Sequence, residues 1–228
     1  MSRRRPDKRC RQVTFFRDRS EAGRLLAEKL TAYKDRRPVV LALPRGGVPV
    51  GLEIARTLAA PLDIVLVRKL GAPSRPELAL GAVVDGPHPE IFVNRDIAEA
   101  LAVADAYVQA EAERELQEIE RRRALYLGGR PPLDLAGRAA IVVDDGIATG
   151  ATARVALRAA RRGGAAEVIL AAPVAPPESA EELAGECDAA IFLDTPADFG
   201  AVGFYYGDFA QLSDDDVRRL LAEAPQAG

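Results

Sequence analysis

The sequence predicts an α/β domain in which a central parallel sheet is flanked by helices on both faces. Aliphatic runs recur along the chain as continuous apolar stretches rather than alternating ones, as strands buried on both faces require. Between them lie segments whose apolar residues repeat with helical spacing, and strand-helix alternation of this kind builds a parallel sheet. A chain of 228 residues, 48% hydrophobic and 29% charged, is long enough for one substantial domain.

The elements follow in order. Ser20 is the expected N-cap of a first helix with Leu25, Leu26, Leu30 and Tyr33 along one face. "PVVLAL" (38–43) is the first strand, stopped by "PRGG", and "VPVGLEIARTLAA" is a helix with Pro49 in its first turn. "LDIVLVRKL" (62–70) reads as a second buried strand and "GAPSRPELA" as a loop. "LGAVVD" and "EIFVN" pair as an antiparallel element around "GPHP". Residues 95–127 form a long helical insertion, broken near 104–106, with Leu116, Ile119 and Leu127 on one side of its charged second half. After "GGRPPLDLAGR" come a strand, a helix to about Arg162, the strand "AEVILAAPV", a helix from about Glu178 and the strand "DAAIFL". An irregular aromatic stretch and a last helix from Ser213 complete the chain.

A formal charge of −3 and a pI near 5.4 argue against nucleic acid as a partner, because such domains carry a basic excess. A small-molecule partner fits better. Cys10 and Cys187 cannot make a disulfide framework, and no apolar run approaches a membrane span of about 18 residues. With no signal-peptide pattern, the expected location is the cytoplasm. Residues 1–12 read as a basic, disordered tail and 13–228 as a single domain. His88, in "GPHPE", belongs to a surface turn, and Cys187 to the core near a strand start.

The chemistry concentrates in "AAIVVDDGIATGATARVAL" (139–157). In open parallel sheets ligands sit beyond the carboxyl ends of the strands, where Asp144 and Asp145 stand. Two ionised carboxylates need donors or cations, and the hydroxyls of a vicinal diol are suitable donors. The residues that follow, Gly146, Ile147, Ala148, Thr149, Gly150, Ala151 and Thr152, open a helix whose N–H groups and hydroxyls make an anion cradle. A diol at one end and a phosphate at the other describe a 5-phosphoribosyl group. A nucleoside triphosphatase strand would need a phosphate-binding G-x-x-x-x-G-K-[ST] loop that the chain lacks. A helix cap would need only one of the two aspartates.

"IVVDDGIATGAT" resembles the phosphoribosyl pyrophosphate (PRPP) motif of the type I phosphoribosyltransferases, and the order of elements over residues 36–212 agrees with that family. "LALPRGGVPVG", "VRKLGAPSRPELALGAV" and "GGRPPLDLAG" resemble a group of bacterial phosphoribosyltransferases of undefined acceptor. The resemblance implies a type I phosphoribosyltransferase fold with a small C-terminal hood at about 195–212. It implies that Asp144 and Asp145 hold the ribose, that residues 146–152 hold the 5'-phosphate, and that Arg45, Gly46 and Gly47 hold pyrophosphate, with a cis peptide at Arg45–Gly46. Arg68 and Lys69, ending the second strand, neutralise the leaving pyrophosphate beside Arg45. Leu70 to Leu80 occupy the place of a mobile lid. In "FGAVGFYYGDF" (199–209), Phe199, Phe204, Tyr205 and Tyr206 are placed to stack on a planar acceptor and Asp208 to hold Mg2+; packing of these aromatics on the core is an equally open reading.

The implied activity is that of a glycosyltransferase moving ribose 5-phosphate from PRPP, with Mg2+, to a nucleophilic acceptor. Relatives acting on 6-oxopurines carry an aspartate where this chain has Ala148 and a lysine for which "LAAPVAPP" has no counterpart. Hypoxanthine and guanine therefore fit poorly, whereas another nitrogen heterocycle or an amine does not conflict. A non-catalytic PRPP-sensing or partner-binding protein is the alternative, and the complete pyrophosphate side favours an enzyme. The long charged helix offers a face for a homodimer.

Overall fold

The computed structural model describes residues 14–73, 75–86 and 89–225. The basic tail with Cys10, and His88, lie outside the described residues. The elements are α1 (Arg19–Leu30), β1 (Val39–Ala42), α2 (Gly47–Leu58), β2 (Leu62–Ile64), β3 (Val67–Ala72), β4 (Arg75–Val84), β5 (Glu90–Val93), α3 (Arg95–Ala100), α4 (Asp105–Leu127), β6 (Ala139–Val143), α5 (Ala151–Arg162), β7 (Glu167–Val174), α6 (Pro177–Ala184), β8 (Ala189–Asp194) and α7 (Asp214–Ala222).

Five strands form a parallel sheet in the order β2-β1-β6-β7-β8. Alternate residues of each inner strand face opposite sides, so two cores form. Val40, Ala42, Ile141, Val143 and Ile169 pack under α1, α2, α4 and α7, while Val39, Leu41, Val142 and Leu170 pack under α5 and α6. The chain leaves β1 towards β2 on one side and pairs β1 with β6 on the other. This is the topological switch point at which open α/β sheets bind ligands.

The run 62–70 is not one strand. β2 ends at Ile64, and β3 belongs to a separate antiparallel sheet in the order β3-β4-β5. Apolar residues of both halves, Leu62 and Ile64 on one side of the break and Leu66 and Leu70 around and after it, pack into the core, so the aliphatic pattern does not reveal the break. Residues expected as the lid loop are instead two strands of this sheet, with register shifts at Leu70/Gly71 and Gly71/Ala72. The pairing of β4 with β5 is as expected, Gly81 facing Val93 and Val84 facing Glu90.

The long helical segment is broken after Ala100, where Ala102 takes φ 48°, and α4 then lies across the second sheet. Polar contacts of its side chains fasten it to this sheet and, through Asp63, to the edge of the parallel sheet. Tyr107 donates to the Gly71 carbonyl, Glu115 pairs with Arg68, and Arg123 bridges Asp63 and Asp85. Asp18, not Ser20, caps α1, accepting from the Glu21 N–H at 2.8 Å; Leu25 is 40% exposed while Leu26 and Leu30 are buried. At the other end, Ser213 caps α7 in a reciprocal capping box with Asp216.

The hood is built from both ends of the chain. Phe16 donates its N–H to the Tyr205 carbonyl and accepts from the Gly207 N–H, both at 2.8 Å, and its ring packs on Tyr206. Residues before the first helix therefore hold the C-terminal segment in place, a pairing of distant segments with no local signature.

Candidate active site

Ala42 pairs with Val143, so the chain leaves β1 and β6 side by side at the switch point. The loop after β1 is thereby laid against the acidic pair after β6. A Cβ at Gly46 would stand 2.0 Å from Oδ2 of Asp145, and one at Gly47 would stand 2.6 Å from the Val143 carbonyl oxygen. Only a residue without a side chain fits at either position. The Gly47 N–H is committed to the Leu43 carbonyl at 3.0 Å, so Gly47 serves close packing and does not donate to an anion. The cis peptide lies at Pro44–Arg45, one bond before the expected position. The Arg45 guanidinium stands 3.8 Å from Asp214, whose carboxylate also accepts from the Tyr126 hydroxyl at 2.6 Å.

Asp144 and Asp145 are not equivalent. Burial and the charge of Asp145 hold the Asp144 carboxyl well above the usual carboxylate range, partly opposed by Arg19, and Asp144 Oδ1 accepts the Asp145 N–H at 2.9 Å. Asp145 Oδ2 accepts from Arg19 Nε at 2.7 Å, with both side chains largely enclosed. The sequence reading missed Arg19, because 126 residues separate the partners and an arginine in a first helical turn carries no local signal.

Residues 146–152 run from this pair into α5. Gly150 is its N-cap at φ 72°, and Thr149, Ala151 and Thr152 are exposed at the helix start, where first-turn N–H groups have no intrahelical partner. Of the expected anion ligands, Ile147 has its N–H committed elsewhere and Gly146 is buried. Ile147 is buried and gives its N–H to the Val174 carbonyl at 2.8 Å, while Gly146 packs on Val202. The Ala148 carbonyl accepts from the Ser179 hydroxyl.

Arg68 does not end a parallel strand. It lies within β3 and pairs with the buried Glu115 at 2.7 Å, held to α4. Lys69 is exposed, and its side chain leaves the opposite face because strand residues alternate. The expectation that both face one crevice is therefore corrected for the pair.

The aromatic stretch divides likewise. Phe199 and Tyr205 stack on each other with ring centroids 5.6 Å apart inside a buried cluster, and the Tyr205 hydroxyl donates to the Phe199 carbonyl at 2.8 Å. Their faces are filled, so neither stacks on an acceptor in this arrangement. Tyr206 is buried and donates to the Asp145 carbonyl at 2.5 Å. Phe204, 74% exposed, keeps an open face. Asp208 is exposed and accepts the Ala210 N–H through Oδ1; it lines the same hollow as Arg19. Among the described residues no group of three His, Cys, Asp or Glu side chains forms a metal cage. None of their helices is long and apolar enough to cross a membrane.

Comparison with known proteins identifies the family of the chain. Residues 19–206 match the family model described as the phosphoribosyl transferase domain. Two Mycobacterium tuberculosis proteins, from strains CDC 1551 and H37Rv, are each 46% identical over 212 residues and carry provisional phosphoribosyl transferase names. The match covers 93% of this chain and 47% of theirs, so the chain spans about half the length of these curated relatives. The crystal structure of TT1426 from Thermus thermophilus is 44% identical, with a TM-score of 0.79 over 93% of this chain and all of that one. With the central five-stranded parallel sheet and its flanking helices, these matches establish that the chain belongs to the type I phosphoribosyltransferase family.

Proposed function

We propose that the protein transfers ribose 5-phosphate from PRPP to a nucleophilic acceptor, a nitrogen heterocycle or an amine, and releases pyrophosphate. The observation that carries this reading is the contact between Gly46 and the Asp145 carboxylate. It sets the loop after β1 directly against the acid pair that leads into α5, which supports reading loop, pair and helix start as parts of one ligand site.

The acceptor's lone pair forms a bond to the anomeric carbon as the bond from that carbon to pyrophosphate oxygen breaks, the electron pair leaving with pyrophosphate. Positive charge builds on the ring and negative charge on the leaving group. Arg45 stabilises the leaving group, and Asp144 and Asp145 fix the ribose through its hydroxyls. Thr149, Thr152 and the first-turn N–H groups of α5 hold the 5'-phosphate. An acceptor proton passes to solvent or to the acceptor's own basic site. Phe204 is the hood aromatic with a face to offer a planar acceptor.

Mg2+ usually binds through substrate phosphates, waters and one or two carboxylates rather than in an all-protein cage. The donor set here fits that habit, with Asp208 supplying one exposed carboxylate. Bound with PRPP, the ion would neutralise charge on the leaving pyrophosphate. The protein is proposed to work in the cytoplasm, with residues 13–228 as one catalytic domain and a homodimer as its assembly.

Calorimetric titration of PRPP and Mg2+ into the wild type and into D144N/D145N tests the reading. Binding by the wild type that the folded double variant lacks supports it, and acceptor screening for pyrophosphate release then follows. A folded wild type that binds no PRPP overturns it.

A further inference from the structure

Three side chains outside the family motif, Arg19, Phe209 and Tyr206, close a ring around Asp145. Arg19 donates through Nε to Oδ2 of Asp145 at 2.7 Å and through Nη1 to the Ala210 carbonyl at 3.0 Å. Its guanidinium lies over the Phe209 ring, 3.9 Å from the centroid. Phe209 stacks on Tyr206 with centroids 5.1 Å apart, and Tyr206 returns to the Asp145 carbonyl at 2.5 Å. Both ends of Asp145, carboxylate and backbone, are thus held by the hood and the start of α1.

We propose that Arg19, held on Phe209, is the positioning residue of the ribose site: it fixes one oxygen of the Asp145 carboxylate and so aims the other at the ligand. The proposal rests on the PRPP reading above. A planar guanidinium bound at Nε and stacked on a ring has a defined orientation, which a flexible ammonium would lack. The Arg19 and Asp145 side chains are 11% and 13% exposed, so solvent does little to replace the contact. Gly46 backs the whole carboxylate on its loop side, a Cβ there standing 2.0 Å from Oδ2 and 2.8 Å from Oδ1, so the group lies between this backbone and the Arg19 guanidinium that takes Oδ2. Ala210 and Phe209 belong to the hood, so Arg19 ties the carboxylate to that segment.

The test is a double-mutant cycle on PRPP affinity, measured by calorimetry with Mg2+ for the wild type, R19Q, D145N and R19Q/D145N, with R19K and F209L alongside. R19Q is expected to weaken PRPP by about tenfold to a hundredfold, the range for losing a hydrogen bond to a charged group. Since Arg19 acts through Asp145, the loss from R19Q should nearly vanish in the D145N background. R19K should restore part of the affinity, and F209L should weaken PRPP while leaving a folded protein even if R19Q does not fold. A general structural role predicts something else, namely lowered melting temperatures with additive or absent affinity losses. Additive losses, or wild-type affinity in folded R19Q or F209L, overturn the proposal and leave the PRPP reading standing. Absence of PRPP binding by the wild type overturns both.

Discussion

The bare Cα of Gly46 lies against the carboxylate of Asp145, so the loop after β1 and the acid pair after β6 are in direct contact. A methyl group there would meet Oδ2 at 2.0 Å, and it has backbone on its own side and a carboxylate held by Arg19 on the other.

Gly46→Ala is therefore expected to push the loop and the acid pair apart. Overpacking a close contact costs about 1–3 kcal/mol. Thermal unfolding should show a loss of that order, and PRPP titration should show a larger proportional loss, because both halves of the crevice move. Unchanged affinity in G46A would mean that the loop does not share a ligand with the pair.

The Asp63–Arg123–Asp85 cluster ties the edge of the parallel sheet, α4 and the end of β4 together. Arg123 reaches Asp63 at 2.9 Å and Asp85 at 2.7 Å, and all three side chains are at most 12% exposed. Removing one member of a buried pair leaves an uncompensated charge, at a cost of about 3–5 kcal/mol. Arg123→Ala should lose stability on that scale in urea titrations, whereas a loss below about 1 kcal/mol would show that solvent reaches the aspartates.

Asp85 makes the stability depend on pH in a defined direction. Burial pushes its carboxyl up to about 6, partly countered by Arg123 and the Leu66 N–H. The unfolded value is near 3.9, so between about pH 4 and 6 the folded state binds more protons than the unfolded one. Its contribution to stability is fully present below about pH 4 and is lost as pH rises through about 6. The difference in unfolding free energy between the wild type and D85N should slope across this window and flatten above it. A flat difference from pH 4 to 7 would contradict the assignment.

The hood aromatics should separate into two classes. Tyr205 is 3% exposed and stacked on Phe199, so Tyr205→Ala should cost about 3–5 kcal/mol by cavity formation and loss of its hydrogen bond. Phe204→Ala, at 74% exposure, should stay within about 0.5 kcal/mol of the wild type. Parallel melts check both. Once an acceptor is known, F204A should raise its KM, and equal melting losses in the two variants would refute the division.

Arg68 is expected to serve stability more than anion binding. Arg68→Gln leaves the Glu115 carboxylate, 9% exposed, with Arg114 as its remaining partner, and should cost about 1–3 kcal/mol. PRPP affinity in the folded variant should change less than in R45Q. A fall in affinity without a fall in stability would return Arg68 to the pyrophosphate site.

Features encoded by local pattern were legible in the amino-acid order alone. Continuous aliphatic runs marked the parallel strands, Pro49 and Ser213 marked helix starts, and the run from Val143 to Thr152 marked a strand end that becomes a helix N-terminus. These features are short-range, and each residue's neighbours in sequence are also its neighbours in space. Tertiary structure decided which partners those residues meet. That Arg19 takes Asp145, that Glu115 takes Arg68, and that Phe16 holds the hood by pairing with Tyr205 and Gly207 depends on how the helices and the second sheet dock on the first. The split of 62–70 between two sheets, and the burial of Phe199 and Tyr205 beside an exposed Phe204, follow from the same cause. An apolar or charged side chain announces that it needs a partner, and only the packed chain determines which one it gets.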